Sequence, residues 1–239
     1  PCQSSAASDV YKRQVPNVPE EIKRELKGYQ NIRSASFRGF KPDNEGVFIS
    51  TRFGDVGQLH VVDRPLGMRK QVTFFDEPIG SVSVQPNGGL IAFTMDSGGS
   101  ENAQIYVMNP ENGRTVLVSD GESRNGSVLW SRDGEKIAFG TTRRNGASND
   151  VWVMDYKYPE QAKMVFASPD GTSWTPSDWS KDSKKILLQN YISVTSSRIF
   201  IVDTETGERE LVTNKEDSSN LALAFGASGR GFFFLTDQF

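Results

Sequence analysis

The stretch Val128-Leu129-Trp130-Ser131-Arg132-Asp133-Gly134-Glu135-Lys136-Ile137-Ala138-Phe139 decides the fold. It reads as a short strand, a polar turn carrying Asp and Gly, and a strongly apolar strand. The phrase recurs as Phe40-Lys41-Pro42-Asp43-Asn44-Glu45-Gly46-Val47-Phe48-Ile49, as Val84-Gln85-Pro86-Asn87-Gly88-Gly89-Leu90-Ile91-Ala92-Phe93, and as Asp178-Trp179-Ser180-Lys181-Asp182-Ser183-Lys184-Lys185-Ile186-Leu187-Leu188. A fifth copy starts at Ala224-Phe225-Gly226-Ala227-Ser228-Gly229-Arg230-Gly231-Phe232-Phe233. The turn residue falls at positions 43, 87, 133, 182 and 228, so the steps are 44, 46, 49 and 46. Self-similarity at a near-constant period is the mark of a repeat architecture.

Working outward, each copy is followed by an alternating strand: Gln58-Leu59-His60-Val61-Val62-Asp63, Gln104-Ile105-Tyr106-Val107-Met108-Asn109, Asp150-Val151-Trp152-Val153-Met154-Asp155 and Arg198-Ile199-Phe200-Ile201-Val202-Asp203. A turn comes next, most legibly Pro110-Glu111-Asn112-Gly113 and Thr204-Glu205-Thr206-Gly207, whose glycines suit a positive φ. Fourth strands are expected over residues 69–73, 114–118, 163–166 and 209–213. Four short antiparallel strands repeated every 46 or so residues predict an all-β protein built as a β-propeller of four-stranded blades. The blades are expected near residues 32–78, 79–124, 125–172, 173–218 and 219–239. The last holds only two strands, so about four and a half blades are present and the propeller is incomplete, an arc of a larger ring. Residues 15–31 form the lead-in, with a short amphipathic helix stopped by Gly28.

Residues 1–14 share no pattern with the repeats, and 9–14 resemble a reading frame of a transposon-end sequencing adaptor. They are read as a non-native leader. On that reading Cys2 does not belong to the protein, and the absence of a signal peptide carries no information. Localisation is left between periplasm and cytoplasm of a bacterium.

Composition limits the chemistry. Among 239 residues, 36% are hydrophobic and no window approaches a membrane span. Twenty-seven basic against 30 acidic residues argue against a nucleic-acid footprint. One Cys and one His cannot build a Cys/His zinc site. The acidic run 96–102 lacks the spacing and carboxylate density of a calcium loop, and no dinucleotide-binding glycine pattern occurs. No metal, cofactor or catalytic residue is therefore assigned. His60 takes the strand position held by Tyr106, Trp152 and Phe200 in the other copies, which reads as a packed strand histidine.

The copies around Trp130 and Asp150 closely resemble the repeat shared by TolB-like propellers and the N-terminal propellers of prolyl-oligopeptidase-type serine peptidases. The lead-in at 29–37 with Ile49-Ser50-Thr51-Arg52-Phe53-Gly54-Asp55 and Arg69-Lys70-Gln71-Val72-Thr73-Phe74-Phe75 is similar to the propeller start of acylaminoacyl- and dipeptidyl-peptidase-like members. The resemblance implies a propeller that restricts access of peptide substrates to the triad of a C-terminal α/β-hydrolase domain. The alternative is a non-enzymatic TolB-like propeller for protein–protein interaction in the cell envelope. The Gly-x-Ser-x-Gly elbow of the hydrolase is absent here; the nearest string, Gly226-Ala227-Ser228-Gly229-Arg230, is a repeat turn.

The joins between second and third strands and between blades look longer and more charged than the others, and in an up-and-down blade both emerge on one face. Arg52, Asp55, Phe75, Asp76, Glu77, Arg143, Arg144 and Tyr191 are the substrate- or partner-facing candidates on it.

Overall fold

The structure, a computed structural model, describes residues 16–169, 171–213 and 218–238; the leader expected at 1–14 lies outside them. Two units are distinguished, residues 1–34 and residues 35–239. In the first, helix α1 (Glu20–Gln30) begins after Pro19, has Glu20 and Glu21 in its first turn and Lys27 in its last, and buries no residue. It runs through Gly28 and is capped at Asn31. The expected glycine stop is thus displaced, because nothing there forces a left-handed φ and glycine only weakens a helix interior.

The second unit is all-β. Strands β1 (Ala35–Phe40), β2 (Val47–Thr51), β3 (Gln58–Val62) and β4 (Lys70–Gln71) form one antiparallel sheet in chain order. So do β5 (Ile79–Val84), β6 (Ile91–Met95), β7 (Gln104–Met108) and β8 (Thr115–Leu117). The third sheet holds β9 (Asn125–Trp130), β10 (Lys136–Thr141), β11 (Asp150–Asp155) and β12 (Lys163–Phe166). The fourth holds β13 (Ser173–Trp179), β14 (Lys185–Ser193), β15 (Ser196–Asp203) and β16 (Arg209–Leu211), and β17 (Asn220–Phe225) with β18 (Phe232–Thr236) form the fifth. Among the described residues, four four-stranded blades and half of another make an incomplete propeller.

The turn that identified the repeat is the same hydrogen-bonded object in all five blades. The amides of Lys41, Gln85, Ser131, Ser180 and Gly226 donate to the carbonyls of Gly46, Leu90, Lys136, Lys185 and Gly231. In the third blade the Ser131 hydroxyl bonds Asp133, whose carboxylate accepts from the Glu135 amide. Gly134 then takes a φ of +75°, where a side chain would be strained. Each first strand also carries an irregularity in its pairing, between Phe37 and Gly39 in β1 and between Ala222 and Ala224 in β17, with counterparts in the three blades between. Bulges sharpen strand twist, and their register is invisible in the apolar pattern.

The core lies between blades. One apolar cluster joins Phe48 and Leu59 of the first blade to Ile91, Phe93 and Met108 of the second. Others join Ala92 and Ile105 to Trp130 and Ile137, then Ala138 and Val153 to Trp179 and Ile186, then Leu187 and Ile199 to Ala222. The second strands of the middle blades are buried on both faces: Ile137 and Phe139 pack toward the second blade while Ala138 packs toward the fourth, whereas β18 of the fifth blade is largely exposed. That is why these strands read as continuous apolar runs. Size is matched across the two middle interfaces, where alanine meets tryptophan. The residue five positions after the turn residue, on the second strand, shares a cluster with the last residue of the next blade's first strand: Phe48 with Val84, Ala92 with Trp130, Ala138 with Trp179, and Leu187 with Phe225.

Polar links reinforce the seams. The Trp130 indole donates to the Ser83 carbonyl at 3.1 Å and that of Trp179 to the Leu129 carbonyl at 3.2 Å. Gln85 reaches the Gly134 carbonyl, and Asp178 accepts from both Arg132 and the Phe225 amide.

Ala138→Leu in the full-length protein is expected to cost about 1–3 kcal/mol by overpacking against Trp179. Adding Trp179→Phe should recover part of that loss, because it recreates the Leu187 and Phe225 pairing. A double-mutant cycle from urea unfolding checks it; additive losses would refute the size match.

Candidate functional site

The joins between second and third strands meet the connections between blades on one face. The Thr142 amide donates to the Arg124 carbonyl, and the Arg124 amide to the Thr142 hydroxyl. The Gly98 amide donates to Glu77 Oε1 at 2.9 Å, and Arg143 Nε lies 3.7 Å from Asp120 Oδ2.

A buried polar residue at the start of the third strand anchors this face in successive blades. Gln58 Nε2 donates to the Phe75 and Glu77 carbonyls, both at 3.0 Å, while its Oε1 accepts from the Phe75 amide. Gln104 Nε2 donates to the Ser123 carbonyl, and its Oε1 accepts from the Ser119 hydroxyl and the Gly121 amide. Asp150, fully buried, accepts from the Ser168 amide at 2.8 Å and from Arg144 Nε and Nη2 at 2.7 and 2.9 Å. In the fourth blade Ser197 takes over one residue early, exchanging bonds with Asn220. Short connections without regular structure are thereby held by side chains that satisfy their backbone groups. Gln58, Gln104 and Asp150 were visible in the sequence as the polar first residue of each alternating strand, the signal that could have marked them.

The eight candidates divide on this scaffold. Arg52, Asp55 and Asp76 are exposed, and Asp55 and Asp76 line a pocket of about 210 Å³ with Phe53, Gln58 and Phe75. Phe75 is half-buried, its ring 5.6 Å from that of Phe93, because both its backbone groups are held by Gln58; Phe74 beside it is the exposed ring. Glu77 is engaged by Gly98. Arg143 lies over the Trp152 ring at 5.1 Å as well as near Asp120. Burial opposes ionisation of Asp120, yet bonds from Ser123 and Glu122 and the Arg143 charge outweigh it and hold the carboxyl below its usual range. Arg144 is committed by its fork to Asp150, which raises the guanidinium pKa, and donates to the Ser168 carbonyl at 3.1 Å.

Tyr191 stands on a hairpin rather than a long loop. β14 and β15 extend until only Val194 and Thr195 join them, so the charged join expected in this blade is replaced by continued pairing, with Tyr191 opposite Ser197. Tyr191, Ile192 and Val194 are exposed on it.

A larger cleft escaped the sequence reading. About 650 Å³ in volume, it lies between Arg124, Asn125 and Gly126 at the start of β9, Arg144 and 147–149 from the join before β11, and Ser168, Pro169 and 171–173 leading into β13. Its residues are scattered over 50 positions of chain, so only closure of the seam between the third and fourth blades assembles them.

His60 is 1% exposed, its Nδ1 3.1 Å from the Gln58 carbonyl and its ring 5.3 Å from Phe53. Nε2 is buried without a hydrogen-bond partner. Burial pushes its pKa below the ordinary 6.5, the Arg69 charge adds to that, and the Gln58 carbonyl opposes it. Ser228 sits in the β17–β18 turn and accepts from the Arg230 amide. Among the described residues no group of three His, Cys, Asp or Glu side chains gathers to hold a metal ion, and no helix is long and apolar enough to cross a membrane.

A succession of four-stranded blades with one loop-rich face is the scaffold of a β-propeller module. The family profile of the prolyl oligopeptidase N-terminal β-propeller domain matches residues 74–238, and the chain belongs to that family. The chain is 28% identical over 150 residues to the uncharacterized peptidase YuxL of Bacillus subtilis (strain 168), covering 62% of this chain and 20% of that protein. Among solved structures, a chain from a study of two prolyl endopeptidases superposes with a TM-score of 0.69 at 15% identity, covering 86% of this chain and 33% of that one. TolB from Acinetobacter baumannii superposes with a TM-score of 0.62 at 20% identity, covering 80% of this chain and 46% of that one. The chain thus spans about a fifth of its curated relative and less than half of either structural neighbour.

Two outcomes follow from these contacts. Arg144→Ala should destabilise the full-length protein by about 3 kcal/mol, more than Asp150→Ala, because it strands a fully buried carboxylate while the arginine is partly solvated; chemical denaturation ranks the two. A depressed folded-state His60 pKa means that the neutral form is favoured by folding. Stability should be complete above pH 6.5 and decline as pH falls from there toward the folded value. His60→Phe should abolish that component in unfolding curves taken across pH 5–8.

Proposed function

We propose that this chain is the substrate-gating propeller of a serine peptidase that cleaves short peptides, the α/β-hydrolase domain lying in another part of the full-length protein. The match of residues 74–238 to the prolyl oligopeptidase propeller domain carries the reading. Similarity to a curated peptidase and the superposition on a prolyl endopeptidase chain support it.

On this reading the propeller contributes exclusion rather than chemistry. Blades locked by apolar seams leave a passage that admits extended peptides and rejects folded proteins. The face bearing Arg52, Asp55, Asp76 and Arg143 meets the substrate and the catalytic domain, since loops on a rigid scaffold are where recognition is built. The nucleophile, base and oxyanion donors come from the hydrolase domain.

The test uses the full-length protein. A serine-directed fluorophosphonate should label it, and kcat/KM should fall by about tenfold or more between peptides of a few residues and a folded substrate carrying the same cleavable sequence. Arg52→Ala should change kcat/KM in a manner that depends on peptide length; unchanged kinetics at every length would remove Arg52 from the substrate path. No labelling and no hydrolysis of any peptide would overturn the peptidase reading in favour of a non-enzymatic TolB-like propeller acting in protein–protein contact.

A further inference from the structure

We propose that the cleft at the seam of the third and fourth blades is a carboxylate-binding site, with Arg124 supplying the charge that recognises the ligand. As a site for a peptide carboxylate it deepens the gating reading and rests on it for its place on the substrate path.

The reasoning starts from the charges that line the cleft. Among the described residues, its ionisable lining side chains are Arg124 and Arg144. Arg144 is neutralised by Asp150: Nε and Nη2 carry the fork to the carboxylate, and Nη2 also serves the Ser168 carbonyl. Among the described residues nothing accepts from Nη1. Arg124 is anchored through its backbone to Thr142, while its exposed guanidinium pairs with no carboxylate among the described residues. Among the described residues the cleft therefore carries one positive charge with no carboxylate partner, together with a second guanidinium fixed by Asp150.

Neutral groups complete the arrangement. Ser148 Oγ accepts from Asn145 Nδ2, which leaves its proton free to donate outward. Asn149 Nδ2 is spent on the Trp174 carbonyl at 2.7 Å. Ser173 contributes an exposed hydroxyl at the start of β13. A volume of about 650 Å³ falls within the roughly 300–1,000 Å³ of small-ligand sites. A planar carboxylate matches donors spread over guanidinium and hydroxyl groups. The carboxylate can be the C-terminus of a peptide or an Asp or Glu side chain.

Calorimetric titration of the full-length protein with N-acetyl-triglycine as free acid and as C-terminal amide reads the site without needing turnover. The free acid is expected to bind at least about tenfold more tightly, and Arg124→Gln to abolish the difference. Arg124→Lys should retain part of it, which separates loss of charge from misfolding. An amidated N-acetyl-Gly-Asp-Gly binding as well as the free acid assigns the site to acidic side chains; amide binding as weak as that of triglycine amide assigns it to chain termini. Equal binding of acid and amide to the wild-type protein, or discrimination that survives Arg124→Gln, overturns the proposal. Because hydrolysis is scored separately, an inactive protein that still discriminates acid from amide sinks the peptidase reading and leaves the carboxylate site standing.

Discussion

Burial of the second strand on both of its faces, in every blade that has a neighbour on each side within the four complete sheets, is the constraint from which the rest of the propeller follows. A lone four-stranded sheet of this kind would expose one apolar side to water, so each blade requires its neighbour. The apolar clusters accordingly straddle the seams and leave no blade with a core of its own. Tryptophan meets alanine at the two middle seams, while Phe48 shares a cluster with Val84 and Leu187 with Phe225 at the outer two. Tight interiors penalise both voids and excess volume, so this reciprocity keeps blade spacing regular although the sequences differ.

The loop-rich face is ordered by a second device laid on the first. A buried polar side chain at the head of the third strand grips the connection to the next blade, by amide in the first two blades, carboxylate in the third and hydroxyl in the fourth. The change of chemistry has a consequence. A neutral amide needs no counter-charge, whereas the buried carboxylate of Asp150 draws in Arg144 and turns a surface arginine into a fixed wall of the neighbouring cleft. Rigid loops of this kind suit the gating role proposed for this propeller, because selectivity depends on groups that do not rearrange around each ligand.

Much of the fold was legible because its signals are local. The five turns announce themselves through Asp, Asn, Ser and Gly at fixed offsets, and their hydrogen bonds recur at the spacing of the repeat. A helix in the lead-in was also readable, though not its run past Gly28 to Gln30, as was the fourth strand at 163–166, while the other fourth strands came out shorter, as edge strands with few partners do. The long hairpin bearing Tyr191 was not readable: whether a polar stretch such as Gln189-Asn190-Tyr191 continues a ladder depends on the strand that pairs with it. Phe75 was legible as a loop residue but not as a core one, since its half-buried position depends on Gln58 gripping its backbone from 17 positions away.

By itself the sequence determined the repeat, the blade and the count of strands, since turn chemistry and apolar runs act over a few residues and leave their trace in order. It also marked which joins share a face. What only the tertiary structure decided is which of the charges on that face are spent and which are available. Arg143 and Arg144 look alike in the chain, yet one lies across an indole and near Asp120 while the other is locked on Asp150, and Arg124 has no carboxylate partner among the described residues in a cleft drawn from three separate segments. Partnership among charges depends on distance through space, and packing of one blade on the next sets those distances.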